Sequence, residues 1–226
     1  MSLIQSDLEK VVADFISKSE PNDRYTSFDY CYNYFRTTDN FIRNVEKSCL
    51  TLGFYLASWG MFRGSSFLLQ KSVKSFEPTI RRISTLDKSV WNIDADNYTD
   101  ENIHIIIDLY NDIKCCLISN SNADLVLITK ILLGVFGFVP AFDRYFADTF
   151  RDISSGQCGF RRVNNNALSL IKDFYEANHE AIDRLSSQTF TTDFLTGQKT
   201  KVNYPKAKII DMYGFSVGLH KSLQEL

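Results

Sequence analysis

Residues 125–142, LVLITKILLGVFGFVPAF, are the most apolar stretch of the chain, yet they contain Lys130 and Pro140 and run straight into Asp143 and Arg144. Their length approaches that of a membrane span. A lysine and a proline inside the run, with charges directly behind it, point to a helix buried in protein instead. No membrane association is expected from it. The run raises one question for everything that follows. Lys130 and Asp143 are either ordinary charges flanking a core helix or two halves of an active site.

The chain around this run reads as helix after helix. Ser6-x-x-Glu9 is a capping box that opens an amphipathic helix through about Lys18. Ser27 is a candidate cap for the aromatic-rich SFDYCYNYF. Asp39 or Asn40 starts a long helix with apolar residues at 41, 42, 45, 49, 52 and 56, the 3/4 spacing of one buried face. Gly60 closes it, and Ser65 or Ser66 caps the next helix. Pro78 opens a short helix to Leu86. KSVWNIDADNY reads as a loop, and Thr99-x-x-Asn102 begins a helix with Ile103, Ile106, Ile107, Tyr110 and Ile113 on one side. SNSNAD, 119–124, is a turn in which Asn122 or Asp124 caps the central apolar helix. Pro140 then restarts the chain as a further helix, at the position where proline is favoured. NNNALSLIKDFYEANHEAIDRL is a clear helix, TFTTDFLTGQKTKVNY a small hairpin or a mobile loop, and Pro205 opens the last helix.

No series of strands is available to build a sheet. The expected fold is all-α: an irregular array of about eight to ten helices with a possible small hairpin near 190–203. The 226 residues suit one helical domain over 1–226. Hydrophobic content of 44% and charged content of 23% exclude a disordered chain. The 18 Phe, 11 Tyr and 2 Trp are expected to build the core.

Several chemistries drop out. There is no glycine-rich phosphate loop, no G-x-S-x-G elbow and no kinase motif set. His104, His179 and His220 match no metal spacing, so neither metal nor organic cofactor is expected. Cys31, Cys49, Cys115, Cys116 and Cys158 are odd in number and form no C-x-x-C pair, which fits reduced, mostly buried thiols in a cytoplasmic protein. The first ten residues carry no signal-peptide pattern.

A formal net charge of −2 gives no global case for nucleic acid, although a local basic face is enough for binding. Two features supply one. In WGMFRGSS, 59–66, two glycines bracket Met61-Phe62-Arg63 before a serine-capped helix. That is a phosphate site if the helix N-terminus is free, and a tight helix–helix turn if it is not. TGQKTKVNYPKAK carries Lys199, Lys201, Lys206 and Lys208 without an acid, and Arg144, Arg151, Arg161 and Arg162 form a second basic group. Either these hold phosphates or they are solvated charge. Gly214 and Gly218, four apart, speak for close helix packing.

In the opening stretch, a partly desolvated Lys130 has a lowered pKa and becomes a usable amine nucleophile. Asp143, in the first turns of the following helix, is kept ionised by the dipole. A positioned carboxylate of this kind stabilises a sugar oxocarbenium ion or orients a water.

A capped turn, a helix bearing Lys130 and then VPAFD at the start of the next helix resemble the core of the helix-hairpin-helix DNA glycosylases. The resemblance covers residues 120–146, with SNSNAD standing where that family has a glycine-rich hairpin. It implies a catalytic carboxylate at Asp143, double-stranded DNA as partner and either a monofunctional enzyme or a bifunctional one in which Lys130 is the Schiff-base lysine. The expected activity is excision of a damaged or modified base, in repair or in defence against phage with modified DNA, with Arg63, Arg144, Lys199, Lys201, Lys206 and Lys208 on phosphates. The alternative expectation is a non-enzymatic helical interaction protein.

Overall fold

In the computed structural model, which describes residues 2–118 and 124–224 (of 2–6 the backbone alone), the apolar run sits at the centre. Its helix, α6 (Leu125–Phe136), is buried on every side from Leu127 onward. α2 (Ser27–Thr37), α3 (Val45–Ser58) and α5 (Asp100–Leu117) pack around it, and the short α4 (Glu77–Ile83) rests on α3 and α5. A second group forms beside them. α9 (Lys206–Gln224) lies along α7 (Arg144–Ile153) and also meets α1 (Ser2–Ser17) and α8 (Asn165–Gln188). Nine α-helices and one two-stranded ladder therefore make up the described residues, and the expected all-α fold is what the chain adopts. No helix among them is long and apolar enough to cross a membrane.

The close approach of α7 and α9 depends on two glycines. A Cβ on Gly214 would lie 2.6 Å from the Phe146 ring, and one on Gly218 would lie 2.2 Å from the Tyr145 carbonyl oxygen. The packing role expected for this pair is the observed one. The 190–203 segment is a hairpin, β1 (Phe190–Thr192) antiparallel to β2 (Lys199–Asn203), with an irregular register between Phe190 and Thr192. The buried Asp29 carboxylate fastens it to α2 by accepting the Thr192 N–H at 2.7 Å and the Tyr204 hydroxyl at 2.6 Å.

Several boundaries differ from expectation. α1 already runs from Ser2, so Ser6 lies inside it. Ser27 is the first residue of α2, and its hydroxyl donates back to the Arg24 carbonyl instead of capping. Asn40 caps a single 3-10 turn, Phe41–Asn44, ahead of α3. Ser66 likewise caps only a 3-10 turn, Phe67–Gln70, so no full helix follows the WGMFRGSS glycines. Asn122 lies outside the described residues, and Asp124 precedes α6 without a side-chain cap bond. Cys31 and Cys49 are buried as expected, but Cys115 is exposed and Cys116 and Cys158 are half-buried.

The largest difference concerns Pro140, which opens no helix. Gly137, left-handed at φ 78°, ends α6, and residues 138–142 then cross the core as neither helix nor strand, with the Asp143 N–H turning back to the Ala141 carbonyl at 2.8 Å. A buried irregular segment must find partners for its peptide groups. Here side chains supply them: the Ala141 N–H donates to Asp211 Oδ1 at 3.0 Å, and the Phe142 N–H donates to Thr129 Oγ1 at 3.0 Å. The Phe138 carbonyl accepts the Tyr98 hydroxyl. α7 starts only at Arg144, and Asp143 is its cap.

Candidate functional site

Six elements converge where the 138–143 segment meets α9. Their side chains enclose a cavity of about 250 Å³. Phe15 comes from α1, Arg24 and Tyr25 from the turn before α2, Trp59 and Arg63 from the end of α3, and Lys130 from α6. Asp143 and Tyr145 come from the start of α7, and Lys208, Asp211, Met212, Phe215 and Leu219 from α9. Lys130 and Asp143 thus line one cavity. The space is just below the roughly 300–1,000 Å³ of drug-sized sites, so it suits one flat polar group and little more.

The walls are aromatic. Tyr25 stands edge-on to Trp59 at 5.9 Å and to Phe215 at 5.5 Å, and Tyr145 meets Phe215 edge-on at 5.4 Å. The depth of the cavity is ionic. Lys130 Nζ donates to the Trp59 carbonyl oxygen at 2.8 Å, and Lys208 Nζ donates to Asp211 Oδ2 at 2.8 Å. Asp211 therefore does two things: one oxygen pairs Lys208 and the other holds the peptide two residues before Asp143. Asp143 Oδ1 accepts the Phe146 N–H at 3.1 Å, the geometry of a helix N-cap.

Burial sets the protonation of the central pair. It pushes the Lys130 ammonium below the usual lysine range, against the opposing pull of Asp143 and Asp211. It pushes the Asp143 carboxyl above the usual aspartate range, and Asp211 adds to this while the Phe146 N–H and Lys130 work against it. The helix dipole was expected to keep Asp143 fully ionised, but desolvation is the larger effect. Burial thus lowers the proton affinity of the amine and raises that of the carboxylate.

The residues read as phosphate ligands are not brought together. Arg63 is exposed and reaches the cavity mouth, folding back over the left-handed Gly60. Arg144 is exposed on α7 beside Asp148. Lys199 and Lys201 are exposed on the hairpin. Lys206 is held between Asp96 at 2.5 Å and Asp183 at 3.1 Å. Lys208, expected on the surface, is buried in the cavity. The reason is geometric, because residues two apart on a helix point to opposite sides.

Sequence reasoning missed Arg24, Tyr25, Trp59 and Asp211. Asp211 had a signal, since Lys208 and Asp211 are charges three apart within an apolar helical stretch, where only mutual pairing makes burial tolerable. A larger groove of about 800 Å³ between α1 and α9 adjoins the cavity, sharing Phe15, Arg24, Tyr25, Phe215 and Leu219, and carries charges of both signs. Among the described residues no group of three or more His, Cys, Asp or Glu is arranged to hold a metal ion. Compared with family models, curated proteins and solved structures, the chain matches none.

Proposed function

We propose that the chain is a DNA glycosylase, in base repair or in defence against phage with modified DNA. The observation that carries this reading is that Lys130 and Asp143 line one small aromatic-walled cavity. An extruded base stacks on such walls while its sugar lies at the charged groups. The Asp143 carboxylate faces the anomeric carbon and stabilises the cation that develops as the N-glycosidic bond breaks. The Lys130 amine, whose proton burial makes easier to lose, attacks that carbon. The base leaves with the bonding electron pair and takes up the proton that the attacking amine gives up, and the C1′–O4′ bond then breaks, its electron pair staying on O4′, which takes a proton from water, so that the ring-opened sugar remains on Lys130 as an iminium. Arg24 and Arg63, exposed at the mouth, take the flanking phosphates.

The test is incubation of wild type and Asp143→Asn with duplexes containing uracil, 8-oxoguanine, alkylated bases or modified phage cytosines, then hot alkali to cut abasic sites. Breaks with wild type and a loss of at least about a hundredfold with the variant are expected, the scale typical of a general acid–base or charge-stabilising group. Undiminished breaks with Asp143→Asn overturn the site. Borohydride should trap wild type on the same DNA and fail with Lys130→Ala.

A second reading, a helical interaction protein, draws on the outer face of α3, where Leu50 and Phe54 stand exposed one turn apart. It predicts no binding to duplex DNA at any salt concentration, whereas the glycosylase reading predicts affinity that falls as salt rises.

A further inference from the structure

The groove between α1 and α9 is apolar along its floor and balanced in charge along its rim. Val11 and Phe15 of α1, Tyr25, and Phe215, Val217 and Leu219 of α9 line it, and each is only half-buried. A recess of about 800 Å³ with an apolar lining that water can reach has the size and character of a small-molecule site. The lining residues of α1 run from Asp7 to Lys18, a span of about 16 Å along the helix axis. On that rim the exposed Asp7, Lys10, Asp14 and Lys18 alternate in sign. Along its length the groove therefore favours neither a cation nor an anion.

Unbalanced charge appears where the groove meets the smaller cavity. Phe15, Arg24, Tyr25, Phe215 and Leu219 line both spaces, so the two join there. Arg24 stands at the junction and Arg63 on the cavity side of it; both are exposed, and neither forms an ion pair with an acid among the described residues. Burial pushes the Tyr25 hydroxyl up and the Lys130 ammonium down, and the fields of both arginines act on both groups, which puts the two guanidiniums near one point. Lys208 and Asp211 satisfy each other, so Arg24, Arg63 and Lys130 are left facing the Asp143 carboxylate alone. Arg24 is also held in orientation. Its Nε donates to the Ser58 carbonyl at 3.0 Å and its guanidinium carbon lies 4.9 Å from the Tyr25 ring centre, which leaves the Nη pair for an incoming group. Two parallel N–H donors match the two oxygens of a carboxylate. A nucleic-acid strand, by contrast, needs cations along its whole path, and this rim supplies as many acids as bases.

We propose that the α1–α9 groove binds the alkyl chain of a straight-chain carboxylate, a free fatty acid, with its head group on Arg24 and Arg63. This goes beyond the glycosylase reading and does not depend on it. The same two arginines are phosphate ligands in that reading, so a bound fatty acid excludes DNA from the cavity mouth.

The experiment is a calorimetric titration of the intact chain with octanoate, decanoate and dodecanoate, and with dodecanol and dodecylammonium as neutral and cationic counterparts, all below the concentrations at which they form micelles. One dodecanoate per chain is expected, bound at least about tenfold more tightly than dodecylammonium, the scale of a hydrogen bond to a charged group. Each methylene added between octanoate and dodecanoate should tighten binding about two- to fourfold, as its burial in an apolar groove requires. Arg24→Gln should weaken dodecanoate at least about tenfold and leave dodecanol unchanged. Ser216→Trp, which places an indole in the groove, should weaken both. The head-group and chain-length comparisons use wild type alone and do not depend on either variant folding. Dodecylammonium binding as tightly as dodecanoate, affinity independent of chain length, uptake of many chains without saturation, no binding of any alkyl probe, or dodecanoate binding untouched by either variant overturns the proposal. If a short oligothymidylate or a designed amphipathic helix binds in a manner that Ser216→Trp abolishes, and dodecanoate does not, the groove belongs to that class and the proposal falls.

Discussion

Thr129 shows how a single hydroxyl can fix a carboxylate it does not touch. Its Oγ1 donates to the Leu125 carbonyl at 2.7 Å and accepts the Phe142 N–H at 3.0 Å, one residue before Asp143. Thr129→Val keeps the shape and leaves a buried peptide N–H without a partner, at a cost of about 1–3 kcal/mol. A lowered thermal midpoint is expected, together with a loss of base release that exceeds what the unfolded fraction explains. A variant with wild-type melting would show that the segment does not need this bond. At this scale the sequence was informative about Lys130 and Asp143, because a charge inside an apolar run has few places to go. It was misleading about Lys208, because a run of lysines looks solvated until helical phase is applied. It was silent about Arg24, whose relevance lies in a junction of cavity and groove that only three-dimensional packing reveals.

Among the elements, α9 has the least self-sufficient start. Its first free N–H groups, those of Lys206 and Ala207, donate to the Asp94 carboxylate at 2.7 and 2.8 Å, and Asp94 also accepts the Ala95 N–H at 2.7 Å. Burial pushes the Asp94 carboxyl up to about 6 in spite of these donors. The folded-state value lies above the unfolded one, so the folded chain binds the extra proton. The resulting stabilisation is complete below about pH 4 and is lost as the pH rises through about 6. A shift of this size corresponds to about 3 kcal/mol. Chemical denaturation of wild type and Asp94→Asn between pH 4 and pH 7 should give a difference in stability that changes in this window. A constant difference would remove Asp94 as the titrating group. The helices themselves were legible from 3/4 spacing and from caps such as Thr99, which accepts the Asn102 N–H at 3.2 Å. The irregular stretch at 138–143 was not. Proline at the head of a helix and proline in a buried irregular segment look alike until the partners of the neighbouring peptides are known.

For the molecule as a whole, one hydrophobic cluster runs from Leu8 to Tyr213, and the cavity lies where the α6 group of helices meets the α9 group. Charge is distributed so that few cations remain for a polyanion. Lys206 and Lys208 are paired with acids, which leaves Arg63, Arg144, Lys199 and Lys201 of the six proposed phosphate ligands. With Arg24 these make five phosphate contacts at most, for a log–log slope of affinity against salt no steeper than about −4.5. A steeper slope would mean that Lys206 leaves its acids when DNA binds. Lys206→Ala should lower thermal stability, since it unties α9 from Asp96 and Asp183, while leaving the salt slope unchanged. An all-α architecture was legible because no alternating segment but one occurs in the sequence. Which helices meet around the cavity was not, since that depends on contacts such as Ala141 to Asp211, 70 residues apart.

The helix that carries Lys208 and Asp211 is synthesised after the eight other α-helices of the described residues. Trp59, Lys130 and Asp143 leave the ribosome long before the side chains that hold them in register, and the phenylalanines of α7 wait uncovered until Gly214 and Gly218 arrive to receive them. A chain interrupted before residue 206 would therefore contain every reactive group named above and no site, with an apolar surface well suited to recognition by chaperones and proteases.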